Sequence, residues 1–147
     1  MKKVCFVCLG NICRSPMAEF VMKTLASSDA ILVESRATSS WEHGNPIHSG
    51  TQSILATYQI DYDVTKRSQQ ISLADFETFD YIIGMDNQNV QDLQEMSHHQ
   101  WDSKIHLFRD GGVPDPWYTG DFEETYQLVI EGCQDWLRQL TADHQSH

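Results

Sequence analysis

The chain alternates short apolar runs with stretches of helical periodicity. Lys3–Cys8 is a continuous apolar run closed by Gly10, the pattern of a strand buried on both faces. In residues 16–26, Met17, Phe20, Val21 and Leu25 fall on one helical face. Ile31–Glu34 reads as a second strand, and residues 47–58 as a helix with Ile54, Leu55 and Tyr58 inward. Ser72-Leu73-Ala74-Asp75 has the form of a capped short helix. Tyr81-Ile82-Ile83 is a third strand, followed by Asp86 as the cap of a helix over 87–96. Lys104–Phe108 is a fourth strand, and Asp110–Thr119, rich in Gly and Pro, a loop. The last helix spans Asp121–Leu140, with Phe122, Tyr126, Val129, Cys133, Trp136, Leu137 and Leu140 inward.

The order is β-α-β-α-α-β-α-β-α. Such alternation predicts an α/β fold, a parallel sheet with helices on both faces joined by right-handed crossovers. Ligands of these sheets bind beyond the carboxyl ends of the strands. The first strand ends at Cys8, so the site is expected there. No composition shift or repeat divides the chain, and residues 1–147 read as one domain, with 141–147 a frayed tail. A domain of 147 residues buries roughly 70% of the surface of its unfolded chain.

Charge narrows the choice of partners. Ten basic against twenty-one acidic side chains give a net charge of −11. Nucleic acid and anionic membranes, which are bound by summed Lys and Arg charge, are not expected as partners. An anionic substrate must then be held by local dipoles and one or two Arg, although the charge is also explained by solubility alone. No apolar stretch approaches the roughly 20 residues of a membrane span. The N-terminal run resembles a short signal peptide, but no small-residue cleavage site follows it. A cytoplasmic protein is expected. The four cysteines, Cys5, Cys8, Cys13 and Cys133, then form no disulfide framework. Cys5 and Cys8 have the spacing of half a zinc site, but no second C-x-x-C completes it, so neither metal nor cofactor is expected.

The chemistry concentrates after the first strand, in Cys8-Leu9-Gly10-Asn11-Ile12-Cys13-Arg14-Ser15-Pro16. A loop curling from a strand into a helix N-terminus turns backbone N–H groups inward, and the helix dipole adds positive potential. That makes a nest for an anion. Pro16 suits the first turn. Gly10 and Asn11 are types that accept unusual backbone angles. At the base of the nest Cys8 is expected as a thiolate, since cysteines in such surroundings titrate at roughly 3.5–7.5. Arg14 offers a planar fork to two phosphate oxygens. Ser15 can donate a hydrogen bond to sulfur and make it a better leaving group.

A cysteine with an arginine six positions on, at a strand–loop–helix junction, is the phosphatase pattern C-x5-R. With the whole string CLGNICRSP, and with Asp115-Pro116-Trp117-Tyr118 near the other end, the chain resembles the low-molecular-weight protein tyrosine phosphatases of the bacterial type. The resemblance runs from residue 3 to about residue 140. It implies a four-stranded parallel sheet and hydrolysis of phosphotyrosine through a phosphocysteine intermediate, with phosphotyrosine proteins or peptides as partners. It implies Cys8 as nucleophile, Leu9–Ser15 (Leu9, Gly10, Asn11, Ile12, Cys13, Arg14 and Ser15) as phosphate loop, and Asp115 as general acid. Protonation of a departing phenolate is the service such a carboxyl renders. Trp41, Trp117 and Tyr118 resemble the cleft walls, a slot too deep for phosphoserine. Ser35 and Asn11 match loop-bracing residues. Where some members carry a bracing His, this chain has Lys66-Arg67-Ser68-Gln69-Gln70, and Trp117 replaces the usual Tyr.

Plainer roles stand beside these. Cys5, Cys133 and Trp136 suit core packing, and Asp86 and Asp121 suit helix ends. His43 and His48 are exposed polar residues or line the cleft. Asp110 is the rival to Asp115. Cys13 is a loop residue or, as the resemblance implies, a partner for a reversible disulfide with Cys8. Two other functions fit the scaffold: an arsenate reductase, which needs relay cysteines that residues 82–97 lack, and a non-catalytic phosphotyrosine-binding module.

Overall fold

The computed structural model describes residues 1–26 and 30–145, the last three by their backbone. Strand β1 (Lys2–Cys8) is central. It pairs in parallel with β2 (Ile31–Ala37) and β3 (Tyr81–Gly84), and β3 pairs with β4 (Ile105–Leu107), in the order β2-β1-β3-β4. A central strand is covered on both faces, which is why its sequence is apolar without interruption. Its side chains alternate: Val4, Phe6 and Cys8 join one core and Cys5 and Val7 the other.

Helices α1 (Arg14–Ala26), α2 (Ser49–Thr57) and α6 (Phe122–Gln145) cover the first face through Met17, Val21, Leu55, Val129, Cys133 and Leu140. Helices α3 (Leu73–Thr78) and α4 (Asn87–Met96) cover the second through Phe76 and Leu93. The expected caps are present. Ser72 and Asp75 form a capping box, and Asp86 Oδ1 accepts from the backbone N–H of Asn89. Cys5 and Cys133 are fully buried, and desolvation pushes both thiols far up. Trp136 packs in the core and its indole N–H donates to the Phe108 carbonyl at 2.9 Å.

Several boundaries differ from the sequence reading, and four of the differences bear on the architecture. Strand β2 continues past Glu34, because Ser35, Arg36 and Ala37 keep register with Phe6, Val7 and Cys8. Arg36 is buried there with its charge met by Asp75 and Glu34, each at 3.3 Å. Strand β4 is shorter, since Lys104 lies in a 3-10 turn and donates to the carbonyls of Phe76 and Glu77. Helix α6 passes Leu140 and runs to Gln145, while residues 146–147 of the expected tail lie outside the described residues. The last part of the Gly/Pro-rich loop is a one-turn helix, α5 (Pro116–Thr119). It starts with Pro at its first position and stops at Gly120, whose φ of 72° is left-handed.

Candidate active site

The loop from β1 to α1 is held from outside by its carbonyls. Thr38 N–H donates to Cys8 O at 2.9 Å, and the Ser39 hydroxyl to Leu9 O at 2.8 Å. Ser68 Oγ donates to Gly10 O at 2.7 Å, His48 N–H to Ile12 O at 2.9 Å and Thr51 Oγ1 to Cys13 O at 3.2 Å. With the carbonyls drawn outward, the peptide N–H groups turn inward. Those of Ile12, Cys13, Arg14 and Ser15 meet no acceptor among the described residues. The Asn11 N–H points at Cys8 Sγ, 3.2 Å away, and Ser15 Oγ lies 3.1 Å from the same sulfur.

Asn11 is the residue with a left-handed backbone here, at φ 56°. Gly10 is not in that region. Its lack of a side chain answers a close approach instead, since a Cβ would meet Glu42 Cγ at 3.3 Å. The Asn11 amide donates to Ser15 Oγ at 2.8 Å and Ser35 Oγ at 2.9 Å, and its oxygen accepts from the Gln69 N–H at 3.1 Å. Ser35 in turn donates to Glu19 at 2.6 Å, and Lys66 reaches Glu19 at 3.4 Å and the Ser35 carbonyl at 3.0 Å. The bracing comes from Ser35, Lys66, Ser68 and the Gln69 backbone, so the segment without a His still supports the loop. Ser68 and Lys66 give no local signal of this role, because their targets are distant in sequence.

Arg14 is buried. Its Nη1 donates to Asp86 Oδ2 at 2.6 Å and to the Val113 carbonyl at 3.0 Å, and its Nη2 lies 3.4 Å from Asp115 Oδ2. Burial opposes the charge, but Cys8, Asp86 and Asp115 outweigh it, and the guanidinium holds its proton above its ordinary value. Its Nε is buried with no hydrogen-bond partner among the described residues. A donor left over at the mouth of an N–H-lined loop fits an oxyanion. Asp86 therefore does more than the helix-end duty expected of it. Its position at the end of β3, beside β1, is the signal that could have found it.

Asp115 caps α5: its Oδ1 accepts from the Trp117 N–H at 3.0 Å, leaving Oδ2 toward Arg14. Cys8, Arg14 and Asp115 line one cavity of about 230 Å³, with Leu9, Gly10, Ile12 and Cys13 at its base. Trp41, Trp117 and Tyr118 form its walls, joined by Ser39 and Glu42, which the sequence did not single out. All three aromatics are exposed, at 78%, 55% and 78%. Asn11 and Ser15 stand behind the cavity. Asp110, His43 and His48 do not line it. His48 stacks on Phe122 and meets the Trp117 ring edge-on at 5.6 Å. Cys13 is buried, and burial with the nearby Cys8 and Asp115 pushes its thiol up to about 12. Cys5 and Cys8 lie on opposite sheet faces, so they cannot ligate one ion together.

A model of the family described as low molecular weight phosphotyrosine protein phosphatase matches residues 3–146. The low molecular weight protein-tyrosine-phosphatase YfkJ of Bacillus subtilis is 41% identical, over 99% of each chain. PtpA of Staphylococcus epidermidis, named in the same way, is 38% identical over 97% of this chain and 96% of its own. The crystal structure of SP-PTP, a low molecular weight protein tyrosine phosphatase from Streptococcus pyogenes, superposes with a TM-score of 0.94 at 78% identity, covering 95% of this chain and 93% of that one.

Proposed function

The chain belongs to the low molecular weight phosphotyrosine protein phosphatases, and on that premise we propose that it hydrolyses phosphotyrosine with Cys8 as nucleophile, Arg14 and the loop amides as oxyanion holders and Asp115 as acid and base. The observation that carries this is the convergence of Cys8, Arg14 and Asp115 on one cavity walled by aromatics. The Cys8 thiolate attacks phosphorus, and the bond from phosphorus to the tyrosyl oxygen breaks. That oxygen takes its electron pair and the proton of Asp115. The equatorial oxygens lie among the inward N–H groups and the Arg14 fork. In the second step ionised Asp115 removes a proton from water, the water oxygen attacks phosphorus, and the sulfur leaves. A hydrogen bond from Ser15, 3.1 Å from the sulfur, stabilises the departing thiolate.

Residues 82–97, which form β3 and α4 and their junction, contain no cysteine to relay a disulfide, which disfavours an arsenate reductase. Action in the cytoplasm is part of the proposal, supported by the place of the signal-like segment in the central strand β1. Among the described residues no helix is long and apolar enough to cross a membrane. Redox control is a further part: oxidised Cys8 condenses with Cys13, which lines the same cavity.

The test is turnover of a phosphotyrosyl peptide and para-nitrophenyl phosphate with a chelator present, by the parent and by Cys8→Ser. A serine hydroxyl is a far weaker nucleophile than thiolate, and activity should drop below about a hundredth. Retention of more would refute the covalent route.

A further inference from the structure

A second cavity, of about 340 Å³, adjoins the first and shares Leu9, Ser39 and Trp41 with it. On the far side of Trp41 it is lined by Thr38, Gln70, Asp92, Glu95 and Met96. Nothing in the proposed chemistry uses these residues. Asp92 and Glu95 stand three apart on α4, hence on one face. Neither has a basic side chain within ion-pairing distance among the described residues. Among the described residues, the one side-chain hydrogen bond of Asp92 is accepted from Gln88 at 2.9 Å. An independent observation points the same way. Thr38 is only 7% exposed, and its Oγ1 is buried without a hydrogen-bond partner among the described residues. A cavity beside an aromatic slot is thus lined by two carboxylates without a basic partner and by Thr38, whose buried hydroxyl has no partner among the described residues.

We propose that this cavity is a subsite for a basic side chain, Lys or Arg, flanking the phosphotyrosine of a peptide substrate. The inference rests on the phosphatase reading and names the substrate class within it. An ammonium has three N–H donors and no acceptor. The two carboxylates supply acceptors, while Leu9, Trp41 and Met96 offer apolar surface to the methylene stem. The Trp41 ring is also a surface over which a cation is attracted. The arrangement has a purpose. A chain of net charge −11 repels a doubly charged phosphate ester and any acidic sequence around it. A basic neighbour of the phosphotyrosine turns that repulsion into attraction at one spot beside the slot.

The experiment compares phosphotyrosyl peptides that differ only in having Lys, Ala or Glu at the positions flanking the phosphotyrosine on either side. The readout is the ratio of kcat/KM for Lys and Glu peptides within each protein, which cancels any change in basal rate. The parent should favour Lys about tenfold, mostly through KM, consistent with about two weak ion pairs. The double variant Asp92→Asn, Glu95→Gln should bring the ratio to about threefold or less, the remainder coming from overall charge. A control variant, Glu124→Gln with Glu131→Gln, removes the same charge from α6, across the sheet, and should keep the parent ratio. Equal ratios in the two double variants would overturn the subsite, leaving only overall charge. Para-nitrophenyl phosphate is too small to reach the second cavity. A parent that fails to turn it over would overturn the phosphatase reading and this inference with it. A parent that hydrolyses it but shows no preference among peptides would overturn the subsite alone.

Discussion

Replacing Asp115 with Asn separates the proposed acid from the loop. Among the described residues the side chain has two polar partners: Oδ1 caps α5 through the Trp117 N–H at 3.0 Å, and Oδ2 lies 3.4 Å from Arg14. Asparagine caps about as well as aspartate. The ion pair is long, and Arg14 keeps Asp86 at 2.6 Å when it is lost, so no buried charge is left without a partner. Removing the transferable proton costs far more. General acid catalysis contributes about 10²–10⁴-fold, equivalent to roughly 2.7–5.4 kcal/mol in the barrier. The kinetic effect therefore exceeds the structural one, and Asp115→Asn should fold and bind vanadate about as the parent does while losing at least about a hundredfold in turnover of phosphotyrosine. The loss should shrink for aryl phosphates whose phenolates leave without a proton. The assay is rate against leaving-group pKa for both proteins, with the variant line the steeper. Parallel lines would refute the role of Asp115, and Asp110 would be the next residue to test.

Arg14→Lys keeps charge beside Asp86 but loses the fork that also reaches Val113 O; kcat should fall more than about tenfold, and a smaller loss in steady-state kinetics would mean that charge alone suffices. Cys13→Ser should recover less activity on thiol treatment after peroxide, because Cys8 then passes from sulfenic to sulfinic acid without a partner. The Cys13 thiol is pushed up first by burial and then by the Cys8 charge, and oxidation of Cys8 removes that charge, so it assists the condensation. Equal recovery in both proteins would reduce Cys13 to a loop residue. Gly132→Ala should destabilise the fold, since a Cβ would stand 2.2 Å from Cε2 of Phe108, whose carbonyl is already held by Trp136. Overpacking of about 1–3 kcal/mol outweighs the roughly 1 kcal/mol gained in helix propensity. A melting temperature at or above that of the parent would show that Phe108 yields freely.

Much of this protein follows from its chain alone, and the reason is locality. The run Val4–Val7 could only be a strand covered on both faces, and its end at Cys8 put the site at the mouth of the sheet. The caps at Ser72 and Asp86 and the inward face of α6 each depend on neighbours a few residues away. Cys8 ends β1 and Arg14 and Ser15 open α1 across one short loop, so their meeting was readable from spacing. Tertiary structure decided whatever joins distant segments. Ser35 and Arg36 look too polar for a strand, and they continue β2 because Glu19 and Asp75 come to meet them. Asp86 grips Arg14 across 72 positions, and Ser68 reaches Gly10 across 58. Only the fold sets Asp92 and Glu95 of α4 beside Thr38 at the end of β2. A polar residue carries no local sign of the partner that makes its burial tolerable, because that partner is supplied by topology and not by the neighbouring sequence.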